Sequence, residues 1–135
     1  MYKHVLVAVA FDAEHDPERS LQAAAVLAPA GARVTLLHVK EAIPSYAISY
    51  IPEEYDQALN QAIRDQLSEM AARFPNAQPV LLEGHSGRTI LEWAEENAVD
   101  CIVVTSNRSG LQDYFLGSTA GRIVGHARCS VHVVR

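Results

Sequence analysis

The sequence predicts a doubly wound α/β fold, in which one five-stranded parallel sheet carries helices on both faces. Two observations predict it. Short valine-rich runs are apolar at successive positions, which suits strands that are buried on both faces. Helical patterns lie between these runs, and strict alternation of strand and helix implies right-handed βαβ crossovers. We therefore expect the strand order 3-2-1-4-5 and one domain over residues 1–135.

The predicted strands differ in how clearly the sequence marks them. The first, second and fourth are continuous apolar runs, whereas the third is weaker and the last alternates apolar with polar residues. In chain order the five strands are Val5–Ala10, Val34–Val39, Pro79–Leu82, Cys101–Thr105 and Ser130–Val134.

Four predicted helices separate these strands. They are Pro17–Leu27, Glu53–Phe74, Arg88–Asn97 and Thr119–His126. The first has proline where an initial helical turn tolerates it. In the longest, apolar residues recur at spacings of three and four, which puts them on one face. These residues are Tyr55, Leu59, Ala62, Ile63, Leu67, Met70 and Ala71.

Composition excludes several classes of protein. The formal net charge is −5, so the chain has no global basic surface, and we expect no binding to nucleic acid. No run approaches the roughly 18 apolar residues that a membrane span needs, and no secretory signal is visible. Cys101 and Cys129 are too few for a disulfide framework and are expected to be reduced, buried thiols. We expect a cytoplasmic protein that does not associate with membranes.

Residues Lys40 to Pro52 form a connection that is longer than usual for a compact domain. The aromatic stretch from Tyr46 to Tyr55 overlaps it. We favour plain packing for these aromatic side chains, because buried aromatics contribute a large apolar area. A lid over a binding site and a surface for a partner protein are the alternatives.

An open parallel sheet binds ligands beyond the carboxyl ends of its strands, where the strand order reverses. Here the first and fourth strands would flank that crevice. The segment Thr105 to Thr119 is rich in small polar residues and contains Arg108, and its Gly117-Ser118 precedes a helix. Helix N-termini attract phosphate, and glycine allows close approach. The alternative is that Ser118 is an ordinary cap and Arg108 a solvated loop residue. Neither a Walker A loop nor a G-x-G-x-x-G motif is present.

Two further features lie in or next to the predicted strands. The connection Glu83 to Gly87 is expected to be a turn with a helix cap, although it could also line the crevice. His38 lies inside a strand pattern and is interpreted as a hydrogen-bonded structural histidine.

Several segments together resemble the universal stress protein family. The C-terminal third has Arg108-Ser109-Gly110-Leu111, then Gly117-Ser118, and ends in His126 to Arg135 (HARCSVHVVR). The N-terminal Lys3 to Val9 (KHVLVAV) and Leu37-His38-Val39 also match the family. The resemblance is strongest to its F/G-type branch, which has a shorter loop with Ser-x-Arg where other members have glycines.

The resemblance implies a Rossmann-like sheet, dimerisation through the last strand and, in many members, binding of ATP or AMP. By position, Val39 and Val104 would border the adenine. The residues that would surround the nucleotide are Ala8, Ala10, Asp12, Val39, Val104, Thr105, Ser106, Asn107, Arg108, Gly117, Ser118 and Thr119. The chain departs from the family at Ala10, where an aspartate is usual, and at Thr105, which replaces the first signature glycine.

From these features we expect a stress-response protein that binds ATP or AMP, with or without magnesium, as a homodimer. The sequence shows no positioned base, nucleophile or metal-ligating acid, so efficient catalysis is not expected, although slow ATP hydrolysis stays open. The first alternative is a regulatory, partner-binding module that no longer binds nucleotide, which Ala10 and Thr105 favour. The second is an enzyme of another doubly wound family, which nothing specific favours.

Overall fold

A computed structural model describes residues 1–11, 16–106 and 117–135. The strands form one parallel sheet in the order β3-β2-β1-β4-β5, which confirms the predicted fold and strand order. The elements in chain order are β1 (His4–Ala8), α1 (Pro17–Leu27), β2 (Arg33–Lys40), α2 (Ser45–Ile48), α3 (Glu53–Ala71), β3 (Ala77–Glu83), α4 (Ser86–Glu96), β4 (Cys101–Thr105), α5 (Ser118–His126) and β5 (Ser130–Val134).

The sheet separates two hydrophobic cores. Residues that alternate along a strand point to opposite faces, so Val5 and Val7 enter one core and Leu6 enters the other. Helices α1 and α3 cover the first face, where Leu21 and Leu67 are buried. Helices α4 and α5 cover the second face. Burial on both faces explains why β1 reads as a continuous apolar run.

Element boundaries differ modestly from the predicted ones. Strand β1 ends at Ala8, yet the backbone N–H of Val9 still donates to the Leu37 carbonyl at 2.8 Å. Strand β3 is longer than predicted and pairs with β2 along its whole length, Ala77 to Glu83. It was the weakest prediction because it is an edge strand with partly exposed side chains. Helix α2 was not predicted.

The expectation that the aromatic stretch is packed is wrong. Tyr46, Tyr50 and Tyr55 expose 80%, 84% and 64% of their surface. The predicted apolar face of α3 is therefore covered only in its C-terminal half, where Leu67 and Ala71 are buried. A helical spacing pattern identifies a face but does not say how much of it the sheet can reach.

The amino end of the sheet holds a buried polar cluster around His4. Its Nδ1 donates to the Asn97 carbonyl at 3.0 Å, so its neutral ring accepts at Nε2 from the Thr35 hydroxyl at 2.7 Å. Burial lowers the pKa of His4, and the Asn97 carbonyl opposes that change only in part. Burial would raise the pKa of the Asp100 carboxyl, but hydrogen bonds from the backbone N–H groups of Lys3 and His4 lower it overall.

Candidate functional site

A cavity of about 210 Å³ opens at the carboxyl ends of β1, β2 and β4. It lies where the chain order reverses, because β1 pairs with β2 on one side and with β4 on the other. The start of α4 and the start of α5 close its second face. The lining residues are Ala8, Val9, Ala10, Leu37, His38, Val39, Glu41, Ser86, Ile90, Val104, Thr105, Thr119 and Ala120.

The structure brings half of the predicted site residues together in this cavity. Those that line it are Ala8, Ala10, Val39, Val104, Thr105 and Thr119. Ser106 is buried beside it, and its backbone N–H donates to the Val134 carbonyl at 2.8 Å. Gly117 and Ser118 begin α5, directly before Thr119. Asp12, Asn107 and Arg108 lie outside the described residues.

The inner wall of the cavity is apolar. Val39 and Val104 are almost fully buried and belong to the same hydrophobic core as Ile90. They come from β2 and β4, and the small side chain of Ala8 lies on β1 between those two strands. A slot bounded by branched aliphatic side chains with an alanine between them accommodates a flat, weakly polar group.

The outer rim of the cavity is polar and lies at the N-terminus of α5. Thr119 and Ser86 form a hydrogen bond between their hydroxyls at 3.0 Å, which links the starts of α5 and α4. Gly117 has φ 86°, a left-handed conformation that favours glycine, and its carbonyl accepts from the Gly121 N–H at 2.9 Å. The first N–H groups of α5 have no carbonyl partner within the helix, so this end can receive an anion.

The Thr105 hydroxyl is directed away from this rim. It forms a hydrogen bond of 3.0 Å with Ser20 on α1, on the other face of the sheet. Thr105 thus contributes to the wall of the cavity while its hydroxyl ties β4 to α1.

The sequence did not single out His38 or Glu41 as site residues, yet both line the cavity. His38 donates from Nδ1 to the Val9 carbonyl at 2.7 Å, which confirms it as a hydrogen-bonded structural histidine. Its ring also meets Phe11 edge-on, with centroids 4.8 Å apart. Their position in the sequence could have indicated this, because both residues lie near or just after the end of β2, where the strand meets the crevice. Ser86, the first residue of α4, also lines the cavity, as the sequence allowed for the segment Glu83 to Gly87.

The described residues offer neither a metal site nor a membrane-spanning helix. Within residues 1–11, 16–106 and 117–135, no three histidine, cysteine, aspartate or glutamate side chains are grouped so that they could hold a metal ion. In the same residues, no helix combines the length and apolar character that crossing a membrane requires. Cys101 and Cys129 are free thiols, and burial raises the pKa of each.

The fold and the cavity together define a doubly wound α/β protein with an apolar pocket at the switch point of its sheet. The family model described as the Universal stress protein family matches residues 1–135. The chain therefore belongs to the universal stress protein family, as the sequence indicated.

Relatives of known name agree with this assignment. Universal stress protein A homolog 2 of Coxiella burnetii is 30% identical, and the match covers 99% of this chain and 95% of that protein. Universal stress protein YxiE of Bacillus subtilis is also 30% identical, over the full length of both chains.

Solved structures share the fold at lower identity. The universal stress protein UspA from Lactobacillus plantarum superposes with a TM-score of 0.75 at 24% identity, covering 99% of this chain and 98% of that one. A universal stress protein family protein from Arabidopsis thaliana with AMP bound gives 0.64 at 18% identity, covering 98% and 90%. The Archaeoglobus fulgidus protein in complex with dAMP gives 0.65 at 18%, covering 99% and 98%.

Proposed function

We propose that this protein binds an adenine nucleotide in the cavity at the carboxyl ends of β1, β2 and β4. The observation that carries the proposal is the pairing of an apolar slot with an anion-receptive helix end in one cavity. Val39 and Val104 would border the adenine, and the N-terminus of α5 would receive the phosphates. That solved members of the family hold AMP and dAMP supports this choice of ligand.

The size of the cavity fits part of a nucleotide. Pockets that enclose drug-sized ligands occupy about 300–1,000 Å³, and this cavity has about 210 Å³. It would therefore enclose the base, while the ribose and phosphates would extend past Ser86 and Thr119 toward the start of α5. The hydroxyls of these two residues already bond to each other, so a phosphate could accept from either without a large rearrangement.

Substitution of Ala10 tests the site directly. Ala10 is half-buried at the cavity wall, so Ala10→Phe would fill space that the base needs without adding charge. We expect the affinity for AMP and ATP to fall by more than about tenfold, because steric exclusion removes most contacts of the base. Isothermal titration calorimetry of both proteins measures this.

Ala32→Phe is the matched control. Ala32 is a half-buried alanine in the loop before β2, at the opposite end of the sheet. It should bind nucleotide like the wild type. Equal affinity for wild type and Ala10→Phe would place the ligand elsewhere, and wild-type protein that neither binds added nucleotide nor releases any when denatured would end the proposal.

The open edge of β5 and the absence of a recognised catalytic group in the sequence bear on assembly and turnover. We propose a cytoplasmic stress-response protein that forms a homodimer through β5 and turns over ATP slowly at most. Among the described residues β5 pairs only with β4, so in that part of the chain nothing covers its other edge, and a second chain could pair there. Magnesium, where present, would accompany the phosphates of ATP. Phosphate release from ATP measures turnover directly.

A second candidate is a regulatory module that no longer binds nucleotide. Ala10 in place of the usual aspartate favours it, since a carboxylate that could accept from the nucleotide is missing there. The bond between Thr105 and Ser20 also favours it, because it occupies a hydroxyl at the end of β4. Mass spectrometry of small molecules released from denatured protein discriminates the two: adenine nucleotide supports the first candidate.

A further inference from the structure

The segment 46–59, which spans α2, the connection after it and the N-terminal half of α3, carries a group of exposed apolar side chains. In the described part of the chain, eight large apolar residues are exposed, and five of these lie between positions 46 and 59. We call this group the aromatic surface, and it consists of Tyr46, Ile48, Tyr50, Tyr55 and Leu59. Scattered apolar residues on a surface need no explanation, but a group of this kind usually marks an interaction site.

The aromatic surface continues the face by which α3 packs on the sheet. Tyr55, Leu59 and Ile63 follow one another at intervals of four residues and so lie on one side of the helix. Ile63 packs against the core, whereas Tyr55 and Leu59 have no covering element among the described residues. Tyr46 belongs to α2 and Tyr50 to the four-residue connection between α2 and α3, so both tyrosines directly precede this uncovered stripe along the chain.

The backbone that carries the aromatic surface is held in place. The N–H of Ala47 donates to the Pro44 carbonyl at 2.9 Å, and the N–H of Tyr50 donates to the Ala47 carbonyl at 3.1 Å. The ammonium group of Lys40 bonds to the Asp56 carboxylate and, at 3.0 Å, to Asn60, which fixes the start of α3 to the end of β2. A partner that docks here would lose little free energy to ordering of this backbone.

The charge around the aromatic surface has one sign. Residues 41–63 contain four acidic residues and no lysine or arginine. Lys40 neutralises Asp56, which leaves Glu41, Glu53 and Glu54 unbalanced. Tyrosine faces attract cations, most often the guanidinium of arginine, and nearby carboxylates strengthen that attraction. The chemistry complementary to this surface is therefore cationic and apolar.

We infer that the aromatic surface docks an arginine-bearing, partly apolar segment of a partner protein. The guanidinium groups stack on Tyr46, Tyr50 and Tyr55 and pair with Glu53 and Glu54, while apolar side chains of the segment cover Ile48 and Leu59. The negative charge argues against an anionic membrane as the occupant. It also argues against a second copy of this chain bound through the same surface, because Glu53 and Glu54 of both copies would then lie close together. The inference is independent of nucleotide binding, since none of the residues proposed to contact the segment lines the cavity; the nearby Glu41, which does, is not one of them.

Selection of peptides tests the inference without knowledge of the natural partner. A phage-displayed library of short random peptides is selected on the immobilised wild-type protein, and the most enriched peptides are synthesised. We expect them to combine arginine with apolar residues and to bind more weakly as salt rises. Affinity should fall more than about tenfold for the variant with Tyr46→Ser, Tyr50→Ser and Tyr55→Ser, and several-fold for Glu53→Gln with Glu54→Gln.

Val26→Ser is the matched control, because Val26 is an equally exposed apolar residue on α1. It should bind the peptides like the wild type, and circular dichroism should show that all variants are folded. The inference is overturned if no peptide is enriched, if the enriched peptides lack basic residues, or if they bind the tyrosine variant equally. Two further results would overturn the inference: self-association of the wild type that the tyrosine variant loses, and binding to phosphatidylglycerol vesicles that the tyrosine variant loses. Either result would show that the aromatic surface binds something other than an arginine-bearing segment.

Discussion

His4 is a titratable side chain that the fold keeps neutral. Its two ring nitrogens are used by the Asn97 carbonyl and the Thr35 hydroxyl, and its ring meets Trp93 edge-on with centroids 5.8 Å apart. A charged ring would carry a proton on Nε2, but Thr35 also accepts from Gln78 at 3.3 Å and its hydroxyl proton already points to His4. Protonation of Nε2 would therefore remove the acceptor of the Thr35 hydroxyl, which would have to rotate and give up its donated bond to His4.

This arrangement predicts a loss of stability in mild acid. The pKa of His4 is lowered in the folded state from its ordinary value of 6.5, so the unfolded chain binds more protons as pH falls below that value. The free energy of unfolding should therefore decrease as the pH falls below 6.5. The stabilising contribution of neutral His4 is complete above that pH. Urea denaturation at a series of pH values measures the slope.

His4→Phe should reduce the slope between pH 5 and 7, even though loss of its hydrogen bonds lowers stability throughout. His126→Phe is the control, because exposed His126 also donates from Nδ1 to a backbone carbonyl at 3.0 Å. Its slope is the reference with which that of His4→Phe is compared. Identical slopes for wild type and His4→Phe would show that another group governs the acid sensitivity.

Some residues of the cavity could be predicted from the sequence, and others could not. Val39 and Val104 could be selected because strand ends converge at one edge of a parallel sheet and the family pattern marks them. His38 could not, because its place at the wall depends on the bond to the Val9 carbonyl and on contact with Phe11. Such contacts depend on side-chain geometry, which spacing along the chain does not determine.

Among the secondary-structure elements, α3 shows where pattern and packing diverge. Its apolar stripe was predicted correctly as a face, but β2 and β3 cover only the part from Ile63 onward. How far a helix extends beyond its sheet depends on the connection before it. That connection contains α2 and the bonds of Lys40 to Asp56 and Asn60, neither of which is visible as a periodic signal.

Strand β5 supplies the prediction about assembly. Val131 and Val133 are half-buried and face α4 and α5, whereas Ser130 and His132 are exposed. Pairing of a second β5 along the open edge would satisfy its backbone groups and cover the valines. We expect sedimentation velocity to show a dimer for the wild type and a monomer for Val131→Glu, in which the carboxylate would be buried at the interface.

Val26→Glu serves as the control for this experiment, since Val26 is exposed on α1 and distant in sequence from β5. It should remain a dimer. A wild-type protein that is monomeric at high concentration would contradict the assembly proposal while leaving the nucleotide proposal intact.

Considered as one folded unit, the molecule should report ligand binding through its stability. A ligand that binds only the folded state adds about 2.7 kcal/mol when its concentration is a hundred times Kd. For a domain of this length that corresponds to a rise in Tm of about 10 °C. Differential scanning fluorimetry with AMP and ATP should show this rise for the wild type and for Ala32→Phe, but not for Ala10→Phe.

A nucleoside without phosphate separates the two halves of the cavity. Adenosine should raise Tm less than AMP, because only AMP engages the N-terminus of α5. Equal shifts would mean that the helix end contributes nothing to affinity.

The strand order and the location of the crevice could be predicted because they follow from alternation of elements and from the handedness of crossovers. The family assignment followed from short segments at both ends of the chain. Exposure of the aromatic residues could not be predicted, because sequence spacing does not say whether a neighbouring element exists to cover them. For that reason the sequence favours packing for Tyr46 and Tyr55, whereas the structure exposes both.

The way the cavity is assembled determines when, during synthesis of the chain, it can first hold a ligand. The described residues of its walls come from the ends of β1 and β2, from the start of α4, and from the end of β4 with the start of α5, so no early portion of the chain contains a complete set. A growing polypeptide that has emerged only as far as β3 lacks two of the three contributing stretches. Retention of a ligand in the cavity would therefore show that α5, in the crossover from β4 to β5, has docked on the sheet. A truncated translation product could be distinguished from a finished chain because it would not retain that ligand.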